Sequence, residues 1–251
     1  MKKENNKNIL MNSAEWEDFA QIDPYWSILT ERSKKFGKWD INEFFATGEK
    51  DVKKFIEKIE RYQYDLKRKT MLDFGCGVGR ITQAMAEYFD TCYGLDISPT
   101  MISIAQSVSQ KKNCKYVLGQ EVDIKQFEND YFDLIYSRLV LQHIPEKENI
   151  TGYIVEFMRI LKPSGILVFQ LPSSVPYRLR RKFYYLLYPL FKMIIPLKLL
   201  HRLNLVRMRM TSYPESEVID LIKKQRGKIL LIEKDADAGT ESESRTYYIT
   251  K

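Results

Sequence analysis

The feature that most constrains the fold is a cluster of three alternate glycines at the point where an apolar run gives way to a helical pattern. The segment MLDFGCGVGR at residues 71–80 predicts a strand, a tight turn and a helix start around Gly75, Gly77 and Gly79. Glycine permits positive φ and close approach of a ligand to the backbone, and a helix start offers free N–H groups. The third glycine comes one residue too early for the dinucleotide fingerprint. The loop therefore predicts a different adenosine ligand, with a plain turn as the alternative.

Length and cysteine content limit the organisation of the chain. Its 251 residues predict one domain with an insert. Cys76, Cys92 and Cys114 are few, odd in number and not at metal-ligand spacing, so we expect neither a disulfide framework nor a metal, and a reducing cytoplasm. Residues 1–12 lack a continuous apolar region and a cleavage site, which predicts a polar, disordered tail and not a signal peptide.

The positive charge is concentrated in one segment. Nine Lys and Arg and no Asp or Glu lie between Leu171 and Pro214. That segment carries a formal +9, which leaves −2 for the rest of a chain whose total is +7. The location of the charge therefore argues for a slightly acidic domain with one basic insert, over residues 172–213.

An aromatic N-terminal cap precedes the glycine loop. Residues 13–47 contain eight aromatic side chains, namely Trp16, Phe19, Tyr25, Trp26, Phe36, Trp39, Phe44 and Phe45. Two interpretations stay open: a cap that is only packed hydrophobically, or a cap that closes over the ligand loop, with Tyr25 and Trp26 facing substrate. A helix with apolar residues at helical spacing is predicted over residues 49–66, so the cap extends to residue 68.

From residue 69 the elements alternate regularly. Strands are predicted over residues 70–74, 92–96, 115–118, 132–137 and 165–171, with helices over 78–89, 99–110 and 146–161 between them. Alternating strands and helices imply a parallel sheet with right-handed crossovers. After the insert come a helix (215–225) and two strands (228–233 and 245–250), which predict an antiparallel hairpin at the edge of an α/β sheet.

A carboxylate after the second predicted strand is the best companion of the glycine loop. In an open parallel sheet, ligands bind beyond the C-terminal ends of the strands. Asp96, in the segment YGLDIS, is placed there and can accept hydrogen bonds from both hydroxyls of a ribose. The alternative role is an N-cap for the following helix, which Ser98 fills equally well.

These motifs together resemble one family. The segments LDFGCGVGR, YGLDIS, FDLIYSRLVLQHIP and RILKPSGILVFQ, in this order, are similar to the class I S-adenosylmethionine-dependent methyltransferases, especially the type 11 group. The resemblance covers residues 70–171 and less firmly 214–251. It implies a Rossmann-like, seven-stranded, mostly parallel sheet with an antiparallel last strand, and S-adenosylmethionine as cofactor.

The resemblance also implies site residues. It places the glycine loop against the methionine part of the cofactor, Asp96 on the ribose, Ile97 against the adenine, and Asp73 near the amino group. The acidic residue that the family has after the third strand is not fixed here: the side chain of Gln120 or of Glu121 takes that place, together with the backbone of Val122. The full set of cofactor-binding candidates is Asp73, Gly75, Cys76, Gly77, Gly79, Arg80, Asp96, Ile97, Met101, Gln120, Glu121, Val122 and Ser137.

Only two histidines are candidates for a general base. His143 follows the fourth strand, on the rim that would face the methyl donor; its alternative role is to tie a buried turn together. His201 lies in the basic insert, where we expect it to be solvated. The signature (D/N)-P-P-(Y/F), associated with amino methylation of bases, is absent, since SRLV occupies residues 137–140.

The insert is the candidate specificity element. Residues 184–200 are apolar but contain two prolines and two lysines, so they are too interrupted for a spanning helix. Three interpretations stay open: a helical lid, contact with an anionic membrane surface through residues 178–209, or contact with nucleic acid. Arg138, Gln142, Arg178 and Tyr184 join Tyr25 and Trp26 as substrate or lid candidates.

The sequence thus predicts a cytoplasmic methyltransferase, which would be peripheral on the inner face of the membrane if the insert binds lipid. The expected acceptor is a small molecule, a glycan or a lipid-linked intermediate, with a hydroxyl favoured over an amine and no metal required. The alternatives are a non-catalytic cofactor-binding or membrane-associated module, and an RNA methyltransferase, which would bind RNA with a steep salt dependence.

Overall fold

The described part of the chain consists of seven strands and the helices that pack around them. The computed structural model describes residues 13–62, 64–119, 124–175, 187–188, 190–203, 205, 208, 210–239 and 242–251. The strands are β1 (Thr70–Phe74), β2 (Thr91–Asp96), β3 (Cys114–Leu118), β4 (Phe132–Ser137), β5 (Leu161–Ser174), β6 (Lys228–Asp235) and β7 (Glu243–Thr250). The helices are α1 (residues 13–22), α2 (Pro24–Ile28), α3 (Ile41–Arg61), α4 (Arg80–Met85), α5 (Pro99–Val108), α6 (Lys147–Ile160), α7 (Leu197–Arg202) and α8 (Glu215–Lys224). Short 3₁₀ turns cover Arg32–Lys34 and Leu141–His143, and residues 190–194 are helical.

The strands form one sheet in the order β3-β2-β1-β4-β5-β7-β6. Strands β1 to β5 pair in parallel, and β7 pairs antiparallel with both β5 and β6. This confirms the predicted fold class, including the antiparallel hairpin at the edge. The strand order reverses between β1 and β4, and a ligand is expected beyond the C-terminal ends of the strands at such a point.

Helices cover both faces of the sheet. On one face α6 and α8 bury Phe157 and Ile222, and Phe157 packs edge-on against Phe74 with ring centroids 4.9 Å apart. On the other face α3 and α4 bury Ile56 and Met85 against the strands. The central strand β4 is buried along its whole length, as expected for a parallel strand with helices on both sides.

Helix boundaries differ from the prediction where local capping decides them. Helix α4 begins at Arg80 and not at residue 78, because Gly79 has left-handed backbone (φ 84°) and forms the N-cap. Helix α3 begins at Ile41 and not at residue 49, because the Asp40 carboxylate accepts a hydrogen bond of 2.9 Å from the Glu43 amide. An acid at the N-cap satisfies one of the free N–H groups of the first turn.

His201 is buried, so the expectation that it is solvated was wrong. Only 3% of its surface is exposed, and its ring packs edge-on against Trp26 and Phe36, with centroids 5.2 and 5.4 Å away. Burial, followed by the positive charge of Lys35, lowers the pKa of His201. The aromatic cap and the insert therefore pack on each other through this histidine.

Candidate functional site

The loop after β1 needs glycine at two positions for steric reasons. Gly75 and Gly77 have φ of 78° and 53°, in the left-handed region that disfavours other residues. A Cβ on Gly75 would lie 2.3 Å from Val140 Cγ2, and one on Gly77 would lie 2.4 Å from Ile28 Cδ1. The backbone of the loop thus lines an open space at Gly75 and Gly77, while the side chains of Val140 and Ile28 pack against the loop.

Asp96 faces the same loop from the end of β2. Its Oδ2 accepts a hydrogen bond from the Gly77 amide (2.8 Å), and its Oδ1 accepts one from the Ser98 amide (2.9 Å). Burial raises the pKa of Asp96, against the opposing effect of these amides. The Ser98 hydroxyl, and not Asp96, caps α5 by accepting from the Met101 amide at 3.1 Å. Each carboxylate oxygen of Asp96 keeps a lone pair for a further donor.

Asp73 is the second carboxylate at this end of the sheet. It is 4% exposed, and the Thr82 hydroxyl donates to its Oδ2 at 2.6 Å. Burial raises its pKa to about 6, although the bond from Thr82 and the charge of Arg80 act in the opposite direction. Asp73 therefore titrates near neutral pH, as functional-site carboxyls often do.

Helix α1 is fastened over the site by one glutamate. The Glu17 carboxylate accepts from the Ser98 hydroxyl (2.6 Å), from the Thr100 amide (3.2 Å) and from the Thr100 hydroxyl. Burial raises the pKa of Glu17, but these hydrogen bonds and one from Gln21 outweigh it, so the pKa is lowered. We call this contact between α1 and the N-terminus of α5 the Glu17 latch.

A cavity of about 490 Å³ lies between the loop, the cap and the insert. It contains most of the predicted cofactor-binding residues, namely Asp73, Gly75, Cys76, Gly77, Arg80, Asp96, Ile97 and Met101. Gly79 and Ser137 are not on its wall: Gly79 abuts the Tyr116 hydroxyl, and Ser137 is fully buried. Gln120, Glu121 and Val122 lie outside the described residues.

Two arginines line the cavity, each with an acidic partner. Arg80 Nη1 lies 2.8 Å from Asp51 Oδ2 on α3, while its buried Nε has no hydrogen-bond partner among the described residues. Arg138 donates through Nε and Nη2 to Asp237 Oδ2 at 2.7 and 2.6 Å. Asp51 and Asp237 also line the cavity. This side of the site can thus bind an anionic or zwitterionic group.

His143 belongs to a chain of buried polar side chains. Its Nε2 lies 3.1 Å from Nε2 of Gln142, an amide nitrogen that only donates, so this ring nitrogen accepts. Gln142 Oε1 in turn accepts from Gln170 Nε2 (3.3 Å), which also donates to Ser244 of β7. The ring packs edge-on against Trp16, with centroids 5.2 Å apart. His143 and Gln142 both line the cavity.

The cap reaches the site through residues other than those predicted. Tyr25 and Trp26, predicted as substrate or lid residues, are not among the lining residues of the cavity. Tyr25 packs against Phe44, with centroids 5.0 Å apart, and Trp26 Nε1 donates to the Glu31 carbonyl at 2.9 Å. The cap instead contributes Trp16, Ser27, Ile28, Leu29 and Thr30, so it does close over the loop.

The returning end of the insert forms another wall. Met208 and Met210 line the cavity. The Thr211 amide donates to the Gln142 carbonyl at 2.7 Å, and its hydroxyl donates to the Ile144 carbonyl at 2.8 Å. Arg178 and Tyr184, the insert residues predicted to face substrate, lie outside the described residues. The sequence signal that was available for Met208 was only its position in the insert that follows β5.

The cysteines do not provide a reactive group. All three are free thiols, and burial raises the pKa of Cys76, which lines the cavity, well above its usual value. Among the described residues, no group of three or more His, Cys, Asp and Glu side chains is arranged to hold a metal ion.

Comparison with known proteins gives partial matches. Residues 72–169 match a family model described as a methyltransferase domain. Over 118 residues the chain is 30% identical to the ubiquinone biosynthesis O-methyltransferase of Coxiella burnetii, covering 46% of this chain and 47% of that protein. Over 101 residues it is 35% identical to phosphoethanolamine N-methyltransferase 2 of Caenorhabditis elegans, covering 39% and 22%. The chain thus spans about half, or less, of the length of these relatives.

Solved structures resemble the chain over most of its length. The magnesium protoporphyrin IX methyltransferase of Synechocystis, solved with bound S-adenosylhomocysteine, superposes with a TM-score of 0.60 at 14% identity, over 96% of this chain and 99% of that one. A Leishmania major S-adenosylmethionine-dependent methyltransferase superposes with a TM-score of 0.62 at 12% identity, over 95% and 82%. At such identities the likeness establishes the fold.

Proposed function

From a chain that carries a methyltransferase domain over residues 72–169 on the class I fold, we infer an enzyme that methylates a small molecule with S-adenosylmethionine. One observation carries the proposal: Asp96, hydrogen-bonded to the Gly77 amide of the glycine loop, lines a cavity together with that loop at the point where strand order reverses. The relatives, which include an O- and an N-methyltransferase, support the reaction type.

The residues present fit this cofactor at both of its ends. The two oxygens of Asp96 suit the two ribose hydroxyls, and Ile97 and Met101 offer an apolar wall for the adenine. At the other end, Asp73 suits the amino group of the methionine part, and Arg80 suits its carboxylate. Gly75 and Gly77 line the cavity, and a Cβ at either position would collide with Val140 or Ile28, so only glycine keeps the loop in this shape beside a ligand.

The protein contributes mainly alignment and exclusion of water. The bound cofactor supplies a methyl group that its sulfonium already activates for displacement. The cap, closed by the Glu17 latch, covers one side of the cavity, and the returning insert covers another. Such a closed site aligns an acceptor with the donor and keeps competing water out.

The wall where the acceptor would bind is largely apolar, with one basic edge. Trp16, Ile144, Tyr153 and Met210 provide the apolar part. Arg138, held by Asp237, provides the polar edge. We infer an acceptor with an apolar body, such as a small aromatic or a lipid-linked intermediate, ahead of a glycan. We propose that the protein is cytoplasmic and meets its acceptor in that compartment.

O-methylation is favoured because a hydroxyl has to lose its proton and His143 is placed to assist. In the described hydrogen-bond pattern, Nε2 of His143 accepts from Gln142, so Nδ1 carries the proton in the neutral ring. His143 acts as a base only when its ring or the Gln142 amide reorients. In this arrangement Nε2 of His143 is already occupied by the Gln142 amide. That occupancy favours the second candidate function, a module that binds the cofactor without turnover.

The first experiment tests the cofactor. Titration calorimetry of the full chain with S-adenosylmethionine is expected to give a micromolar Kd, and Asp96→Asn is expected to weaken binding at least tenfold. Asp90→Asn, the same change at an exposed position, is the matched control and should bind like wild type. Absence of binding to the wild type, or equal affinities for the two variants, would contradict the proposal.

A second experiment separates the enzyme from the binding module. Methyl-labelled cofactor is incubated with panels of phenols, amines, membrane lipid extract and RNA, and labelled product is identified. For the enzyme, His143→Ala should lower turnover roughly 10²–10⁴-fold, the usual range for a general base, with unchanged cofactor affinity. Product on none of the panels would favour the module, and product on RNA alone would favour RNA methylation.

A further inference from the structure

An exposed apolar surface lies on the insert. Nine large hydrophobic side chains are exposed among the described residues, and five of them fall within residues 190–203. They are Leu190, Met193, Ile194, Leu199 and Leu203, with Met193 and Ile194 exposed by 83% and 81%. Single exposed apolar residues are ordinary, but a contiguous group marks an interaction site. We call residues 190–203 the insert face.

Residues of the N-terminal cap hold one side of the insert face in place. Leu200 and His201 are buried, and the His201 carbonyl accepts from Lys35 Nζ at 3.1 Å. Lys192 forms an ion pair with Asp18 of α1. On the other side, Leu190, Met193 and Ile194 have the i, i+3 and i+4 spacing that brings helical side chains together. The cap therefore fixes one side of the segment and leaves the apolar side outward.

The charge of the insert face indicates the sign of its partner. Lys198 and Arg202, one helical turn apart on α7, are exposed. The sequence contains no Asp or Glu between Leu171 and Pro214, so the partner has to be anionic. A nucleic acid would neutralise these cations but would leave Met193 and Ile194 in water. Lipid headgroups with acyl chains below them satisfy both the cations and the apolar side chains.

We propose that the insert face docks the protein on an anionic bilayer surface. No helix among the described residues is long and apolar enough to cross a membrane, and the proposed contact is one in which the helical segments lie at the interface. Pro196 separates residues 190–194 from α7, and each of these two short segments carries exposed apolar and exposed basic side chains.

The same insert connects the proposed membrane contact with the cavity. Beyond α7 the chain returns through Met208 and Met210, which line the cavity wall. We therefore expect an acceptor with an apolar body, drawn from the lipid, to bind against this wall. This step rests on the proposed function, whereas the docking itself does not depend on cofactor binding or turnover.

The test measures binding of the full chain to vesicles by flotation. Vesicles of phosphatidylcholine with about 30% phosphatidylglycerol are compared with vesicles of pure phosphatidylcholine. The anionic headgroups of the first kind attract basic segments. The wild type should partition onto the anionic vesicles at least tenfold more strongly. The double variant M193D/I194D should lose at least tenfold of that binding, and K198A/R202A should lose the preference for anionic lipid. Tyr62→Asp, a change at the exposed aromatic residue that follows α3, outside the insert face, is the matched control.

Several outcomes would overturn the proposal. These are no flotation of the wild type, equal flotation with both vesicle types, or flotation of M193D/I194D that equals that of Tyr62→Asp while circular dichroism shows all variants folded. Sedimentation showing a dimer that M193D/I194D dissociates would assign the face to a second copy of the chain. Salt-dependent RNA binding that only K198A/R202A abolishes would assign it to nucleic acid. Cofactor calorimetry on the same variants separates a failure here from a failure of the proposed function.

Discussion

The carboxyl group of Asp73 is poised to change its charge near neutral pH. Its pKa is raised by burial to about 6, from an ordinary value of 3.8. Because the pKa is higher in the folded than in the unfolded protein, ionisation opposes folding, and stability is lost as pH rises from about 4 to about 6. The difference corresponds to roughly 3 kcal/mol at pH 7. The free site therefore holds a carboxylate that a cationic group would stabilise.

We predict that affinity for S-adenosylmethionine rises with pH between 5 and 7, because the cofactor's amino group favours ionised Asp73. Asp73→Asn keeps an acceptor for the Thr82 hydroxyl, so it should stabilise the free protein at pH 7. The variant should also bind the cofactor more weakly and without this pH dependence. Calorimetry at pH 5, 6 and 7, in buffers of different ionisation enthalpy, measures affinity and proton release together. Identical proton release by wild type and variant would exclude Asp73 as the titrating group.

Helices α3 and α4 approach each other closely at one glycine. A Cβ on Gly48 would lie 2.4 Å from the backbone oxygen of Arg80, and Arg80 also bonds to Thr47 and Asp51 of α3. Since the obstructing atom belongs to the backbone, the helices themselves would have to move. This contact holds the first turn of α4, and with it the glycine loop.

Gly48→Ala should destabilise the protein by about 1–3 kcal/mol, the usual cost of overpacking. Helix propensity alone predicts the opposite, a gain of up to about 1 kcal/mol, so the sign of the change decides between the two effects. The control is Ala46→Gly, at an exposed position of the same helix, which should lose about 1 kcal/mol through propensity. Urea unfolding measures both, and a more stable Gly48→Ala protein would contradict the contact.

At the level of elements, patterns local in sequence were predicted well and partners distant in sequence were not. The strands, the glycine loop and Asp96 follow from hydrophobic periodicity, turn chemistry and the position of strand ends. Asp51 and Asp237 line the cavity and form ion pairs with Arg80 and Arg138. No local sequence pattern predicts such pairs. Trp26 packs on His201, 175 positions further along the chain, a contact that no local pattern predicts.

The whole molecule surrounds the cavity with parts from its entire length: the cap, the strand ends, the returning insert and the β6–β7 loop. A ligand that bridges these parts stabilises only the folded chain. At a concentration 100 times its Kd, such a ligand adds about 2.7 kcal/mol.

We therefore expect S-adenosylmethionine at that concentration to raise Tm by roughly 5–10 °C, using the usual 2–4 °C per kcal/mol for a chain of this size. S-adenosylhomocysteine should act similarly, while adenosine alone, which does not reach Asp73 and Arg80, should have a smaller effect. Differential scanning fluorimetry measures all three. An equal shift with adenosine would mean that the methionine part finds no partner in the site.

The position of β7 also has a consequence for how the chain acquires its fold during synthesis. Strand β6 is made before β7, yet among the described strands it pairs only with β7, which lies between it and β5. Until residues 243–250 leave the ribosome, β6 has no strand to pair with. Ser244, which bonds to Gln170 in the chain of side chains leading to His143, arrives on the same strand. The cofactor loop can thus form early in translation, whereas the support behind His143 is completed only when the last strand is added.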